Sequence, residues 1–183
     1  MDFSHYNDEP VQMAVDLVNT FSTVTGEDKL VSPENVSLFV SGAEANWCGP
    51  GWAPEEEDLH EVRALRTRLR SVFEAETAAD AADIINSILS DVVAIPRLSV
   101  HGEGPHLHFE AEGESPARWL GAITAMGLSA AMIEGGFERF GRCNSSTCDD
   151  VYVDTSRNKS RRNCSETCTT RENVAAYRSR QKV

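Results

Sequence analysis

The fold class this sequence predicts is mainly α-helical with a small β-hairpin, closed by a treble-clef-like four-cysteine module at the C-terminus. Three observations predict it. Apolar residues recur at three- and four-residue spacing through most of the first 140 positions, the period of an amphipathic helix. Strict apolar–polar alternation is confined to two short runs around a Gly-Pro loop, the pattern of one hairpin. Four of the five cysteines fall between positions 143 and 168.

Residues 10–22 place Met13, Ala14, Leu17, Val18 and Phe21 on one helical face. Ser32-Pro33 opens a short helix, because proline at the first helical position loses no needed N–H. That helix is expected to run to about Trp47, where WCGPGWAP breaks it. Trp47 and Trp52 are expected to pack around this turn, with Cys48 a buried free thiol. Pro54 opens the next helix, and acidic residues at 55–58 suit the positive end of its dipole. Its apolar stripe is Leu59, Val62, Leu65, Leu69, Val72 and Phe73. Arg63, Arg66 and Arg70 flank the stripe and are expected to pair with acids on a solvated face. Asp80 is expected to cap a helix carrying Ile84, Ile85, Ile88, Leu89 and Val92, ended by Pro96.

Leu98 and Val100, then Leu107 and Phe109, alternate with polar residues on either side of the loop GEGP. His101, His106 and His108 cluster on this hairpin and read as solvent-facing, since no carboxylate or cysteine stands at ligand spacing. Ser115-Pro116 starts the longest helix, with Leu120, Ile123, Met126, Ala130, Ile133 and Phe137 facing inward. Gly135-Gly136 stops or bends it. The boundary between the helical body (1–140) and the C-terminal module (141–183) is expected near Phe140-Gly141.

The composition, 40% hydrophobic and 25% charged over 183 residues, is that of a soluble globular protein. No run reaches the roughly 18 apolar residues of a membrane span. The start, MDFSHYNDEP, lacks the basic and apolar regions of a secretion signal, so a cytoplasmic, reducing location is expected. The net charge of −12 is unevenly spread. Residues 1–138 carry 7 basic and 24 acidic side chains, whereas 139–183 carry 10 basic and 5 acidic. A basic contact module thus follows a strongly anionic body.

Cys143 and Cys148 form one close pair and Cys164 and Cys168 another. Two close pairs supply four soft ligands in a tetrahedron, which is what zinc prefers. The rival reading, two disulfides, conflicts with the odd cysteine count and the reducing compartment. With all four positions filled by protein, the single Zn2+ is expected to be structural, and loss of a ligand to unfold the tail while the body survives. GRCNSSTC reads as a knuckle and VYVDT as a strand. Cys164 and Cys168 fall at the first turn of a final helix, where Ser165 or Thr169 can cap.

The segment VYVDTSRNKSRRNCSETCTTRENVAAYRSRQ, with the upstream cysteine pair, resembles the CGNR-type zinc finger. Asp154, Ser156, Arg157, Asn158, Arg161, Arg162, Arg171, Tyr177 and Arg180 match its pattern. Cys168-Thr169-Thr170-Arg171 stands where that family has Cys-Gly-Asn-Arg, and the last two cysteines lie one residue closer than usual; no ligand is lost. AVDLVNT at 14–20 is similar to the start of the ABATE domain that accompanies this finger. The resemblance implies a stress-induced, zinc-finger DNA-binding transcriptional regulator whose N-terminal domain binds an effector or dimerises.

The residues offer a route to DNA. Arg157, Lys159, Arg161 and Arg162 precede a cysteine ligand, and Arg171, Arg178, Arg180 and Lys182 follow on the last helix. Val174 and Tyr177 are expected to pack back onto the zinc core. Cations on one side of a metal-rigidified module can straddle phosphates and reach guanine edges. The alternative is a protein-interaction adaptor whose basic residues neutralise the thiolates or dock on the acidic body. In the body, Asp16, Asn19 and Thr20 are polar within an apolar helix. They either line a small-molecule effector pocket or satisfy nearby backbone groups. No phosphate-cradling glycine loop, nucleophile elbow or zinc-hydrolase helix is present, so no enzyme is expected.

Overall fold

The computed structural model describes residues 8–43, 53–100, 106–112 and 115–181. Trp47, Cys48, Trp52, His101 and Lys182 lie outside the described residues. Among the described residues five helices form the body: α1 Asp8–Val18, α2 Pro33–Ala43, α3 Glu56–Glu74, α4 Ala78–Asp91 and α5 Pro116–Gly135. A hairpin of β1 Ile95–Ser99 and β2 His106–Glu110 joins α4 to α5. A single 3-10 turn at Phe137–Arg139 leads into β3 Phe140–Arg142, which pairs antiparallel with β4 Val151–Val153. The chain ends in α6 Glu166–Gln181. Among the described residues no helix is long and apolar enough to cross a membrane.

The longest helix, α5, is the central element, packed against α1, α3 and α4. Leu17 and Val18 from α1, Leu69 and Val72 from α3, Ile88 from α4 and Leu120 and Leu128 from α5 are sealed from solvent in one cluster. Val151 and Val153 of β4 belong to that same cluster, 1% and 8% exposed. The tail's strand therefore completes the body's core, placed against α1 while β3 lies against α3. Phe140 reinforces the join, its ring 5.5 Å from that of Phe73.

Several ends differ from the sequence reading for local reasons. Thr77, not Asp80, caps α4: Thr77 Oγ1 accepts from the Asp80 N–H at 3.1 Å, and Asp80 reaches back to the Thr77 N–H at 3.2 Å. The helix stops before Pro96 because Val93 turns left-handed at φ 51°. The Ala94 N–H then bonds the Leu89 carbonyl and the Val93 N–H that of Ser90, closing the helix end without proline. Pro96 is instead a residue of β1, opposite Phe109. Ile133, expected inward, is 74% exposed near the end of α5, beyond the reach of the opposing helices. Arg66 and Arg70 are 7% and 8% exposed rather than solvated.

Close helix approach depends on glycine at one point. A Cβ on Gly127 of α5 would stand 2.6 Å from Pro10 Cβ and 2.9 Å from its carbonyl carbon, on α1. Backbone cannot swing aside as a side chain does, so α1 would have to move off α5. Gly127→Val is expected to destabilise the protein by about 2–3 kcal/mol. A fall in the urea midpoint checks this, and an unchanged midpoint contradicts the close contact.

Candidate metal centre and its junction with the helical body

The β3–β4 hairpin carries the first cysteine pair across its connection. The Cys143 N–H donates to the Asp150 carbonyl at 2.8 Å, and Cys148 N–H closes a turn on the Ser145 carbonyl at 3.2 Å. The Asn144 N–H donates to the Arg162 carbonyl at 2.9 Å, drawing the second pair's loop over the knuckle. Ser165 then caps α6, its Oγ accepting from the Cys168 N–H at 3.3 Å. This puts Cys164 just before the helix and Cys168 in its first turn.

The four Sγ atoms all lie within 4.8 Å of one another. Cys148 and Cys164 are 3.6 Å apart and Cys164 and Cys168 3.7 Å. A tetrahedron with zinc–sulfur bonds of about 2.3 Å has edges of about 3.8 Å, so the sulfurs sit where a bound zinc needs them. Among the described residues this is the one group of three or more His, Cys, Asp or Glu side chains placed to hold a metal. Burial pushes the Cys148 thiol up to about 12 and raises the Cys164 thiol as well, and a bound cation displaces such protons.

Asp149, between ligand Cys148 and β4, is the residue that ties the centre to the body. It is 6% exposed, and its Oδ2 accepts from the Thr23 N–H at 2.7 Å and from Thr23 Oγ1 at 2.6 Å. Its Oδ1 accepts from Ser22 Oγ at 2.8 Å. Arg70 reaches it from α3, donating to the Asp149 carbonyl at 3.1 Å and to Oδ2 at 3.3 Å. The same guanidinium donates to the Phe21 carbonyl at 2.7 Å and to that of Val18 at 3.3 Å. Burial alone would raise the Asp149 carboxyl, but the Thr23 and Ser22 hydrogen bonds and the Arg70 charge overcome it and hold it below its usual value.

Asn19 adds a second clasp. Its side-chain oxygen accepts from the Val151 N–H at 2.8 Å, and its amide donates to the Val151 carbonyl at 3.0 Å. The Asn19 side chain thus serves β4 as a neighbouring strand's backbone would. Thr20 donates to the Leu17 carbonyl at 2.6 Å and accepts from Arg66 at 3.0 Å. Arg66 in turn holds Asp28 through two bonds of 2.6 and 2.9 Å, which keeps that carboxyl below its ordinary range. Asp16 stands apart, exposed on α1 and accepting from Gln12 at 2.8 Å.

The basic residues divide. Lys159 donates to the Gly135 carbonyl at 2.8 Å and pairs with Glu138. Arg161 stacks 4.8 Å from the Tyr152 ring centre and donates to the Asn163 and Cys164 carbonyls. Arg171 donates to Thr147 at 2.9 Å. Arg157, Arg162, Arg178 and Arg180 are exposed and make no side-chain bond among the described residues. In α6 only Cys168 is buried. Val174 and Tyr177 are 41% and 58% exposed, so they do not close over the metal centre. His106 and His108 lie two apart on β2. Asp149 escaped the sequence reading, and Arg70, expected to pair with an acid on a solvated face, pairs instead in the interior with an acid 79 positions away. The only trace was an acid directly after a ligand cysteine.

A helical body with a compact four-thiol metal module built onto its core defines a zinc-finger protein. Residues 12–134 match the ABATE family, described as "putative stress-induced transcription regulator", and residues 139–181 match the CGNR zinc finger. The chain belongs to the ABATE family, and its C-terminal part is a CGNR zinc finger. Neither family is one of enzymes. No curated protein matches the chain.

Asp149→Ala would leave the Arg70 guanidinium buried without its counter-charge. A loss of about 3–5 kcal/mol is expected at neutral pH. A carboxyl whose folded pKa is depressed stabilises above its ordinary pKa of 3.8 and loses that contribution as pH falls through the folded value. The gap between native and variant in urea unfolding should therefore narrow below about pH 4; a gap unchanged in acid contradicts the ion-paired junction.

Proposed function

We propose that this chain is a cytoplasmic DNA-binding transcriptional regulator and not an enzyme. Residues 1–140 act as the effector-binding or dimerisation body, and 141–183 as the DNA-contacting finger. One zinc ion, bound by Cys143, Cys148, Cys164 and Cys168, has a structural role, since four protein thiolates leave no position for water or substrate.

The exposure of α6 carries this reading. Past its first turn the helix has no buried residue, and Arg178 and Arg180 find no partner among the described residues. A polar helix left in solvent loses most of what tertiary packing gives a helix, so its length serves contact with something else. The free cations on it and on the neighbouring loop match a polyanion. Their exposure favours DNA over the adaptor reading, in which the basic residues neutralise the thiolates or dock on the acidic body as Lys159 does on Glu138. Lys159, Arg161 and Arg171 support the shape of the finger, leaving phosphate contact to Arg157, Arg162, Arg178 and Arg180.

That division has a measurable consequence. Four neutralised phosphates give a slope of log affinity against log salt of about −4, whereas all seven cations would give about −6. The zinc-loaded chain is expected to bind labelled fragments from upstream of its own gene with the shallower slope. Absence of binding at low salt with zinc present contradicts the DNA reading.

A further inference from the structure

Between the loop 154–163 and the first two turns of α6 lies an open cleft of about 550 Å3. Every side chain lining it is polar, among them Ser156, Ser160, Arg161, Arg162, Thr169 and Asn173. Its single acid, Asp154, is 3% exposed. The Asp154 oxygens are taken by the backbone N–H groups of Ser156 and Arg161, each at 2.8 Å. What remains toward the opening is a set of hydroxyls, amides and two guanidiniums.

These groups are ordered to different degrees. Arg161 is held by the Tyr152 ring and by two carbonyls, so it forms a fixed positive wall. Thr169 accepts from the Asn163 amide at 3.3 Å and donates to the Ser165 carbonyl at 3.0 Å. Asn173 follows Thr169 by four positions, one turn further along the same face of α6. Arg162 has no side-chain partner among the described residues. Donor-rich walls with net positive charge suit a tetrahedral oxyanion, and Arg, Ser, Thr and Asn are the side chains that contact DNA phosphates.

We propose that this cleft seats a backbone phosphodiester of the bound DNA, with Arg162 closing on it as the free cation and Ser160 and Asn173 as neutral donors. The proposal rests on the DNA reading for its partner and assigns that partner's anchoring point. It places α6 alongside the strand that the cleft grips and gives Asn173, which lies outside the basic runs, a direct contact.

The test uses the full zinc-loaded chain, isotopically labelled, titrated with inorganic phosphate and separately with a short DNA duplex. Phosphate is expected to shift the amide signals of 156–163 and the Asn173 side-chain amide saturably. Arg162→Ala should abolish those shifts and weaken duplex binding about tenfold, lowering the salt slope by about one. Asn173→Ala, on an exposed helix face, should weaken duplex binding with the slope unchanged. Retained zinc content confirms that both variants fold. Phosphate leaving these signals unmoved, or both variants binding duplex like the native chain, overturns the proposal. Saturable phosphate shifts without any duplex binding overturn the DNA partner while the cleft stands as an anion site.

Discussion

Cys148 is one of the four cysteines placed to hold a metal and Asp149 is its neighbour in the chain, so whatever fixes the Asp149 carboxylate fixes one corner of the sulfur cluster. That carboxylate is buried between the Ser22–Thr23 turn and Arg70 of α3. Two residues further on, Asn19 holds Val151 by both backbone groups. A buried carboxylate is costly unless paired and hydrogen-bonded, and this one is satisfied only when the turn after α1, the C-terminal part of α3 and the knuckle are all in register. The same geometry that spares Asp149 its desolvation cost therefore aligns the finger on the body. Val151 and Val153 add an apolar component by completing the core around α1.

The helices were legible because their apolar residues must meet one core at a fixed period; Leu17, Leu69, Ile88 and Leu120 are all buried as the spacing demands. The metal centre was legible because coordination chemistry leaves its mark in local cysteine spacing. Arg66 and Arg70 were not, since a guanidinium on the edge of a helical stripe reads as solvated until its partners, Asp28 and Asp149, are known. Asn19 and Thr20 were visible as polar residues on an apolar face, but their partners, Val151 and Arg66, are distant in sequence. Ile133, Val174 and Tyr177 show the converse limit. Apolar spacing predicts a buried face only where another element covers it, and among the described residues none covers the end of α5 or the length of α6 at those side chains.

Charge is organised in the same hierarchical way. The acidic surplus lies in residues 1–138 and the basic surplus in 139–183. Within the finger, Lys159 and Arg161 stabilise the loop between β4 and the second cysteine pair, and Arg171 ties α6 to the knuckle. Arg157, Arg162, Arg178 and Arg180, without a side-chain partner among the described residues, are what the proposed DNA contact draws on. The finger's shape and its proposed DNA-binding face thus draw on different members of the two basic runs. On the proposed DNA reading, the anionic body repels a polyanion and favours approach at α6.

The central claim is that metal centre and body fold as one interlocked unit. Hydrogen exchange of the zinc-loaded protein, with and without a chelator, tests it most directly. Interlocking predicts that chelation lowers protection in the finger and also at the α1 end around 17–21 and the α3 segment around 66–73, which hold Asp149 and Val151. Loss of protection confined to residues 141–181, with α1 and α3 unchanged, would contradict it and restore the separable tail that the sequence alone suggests.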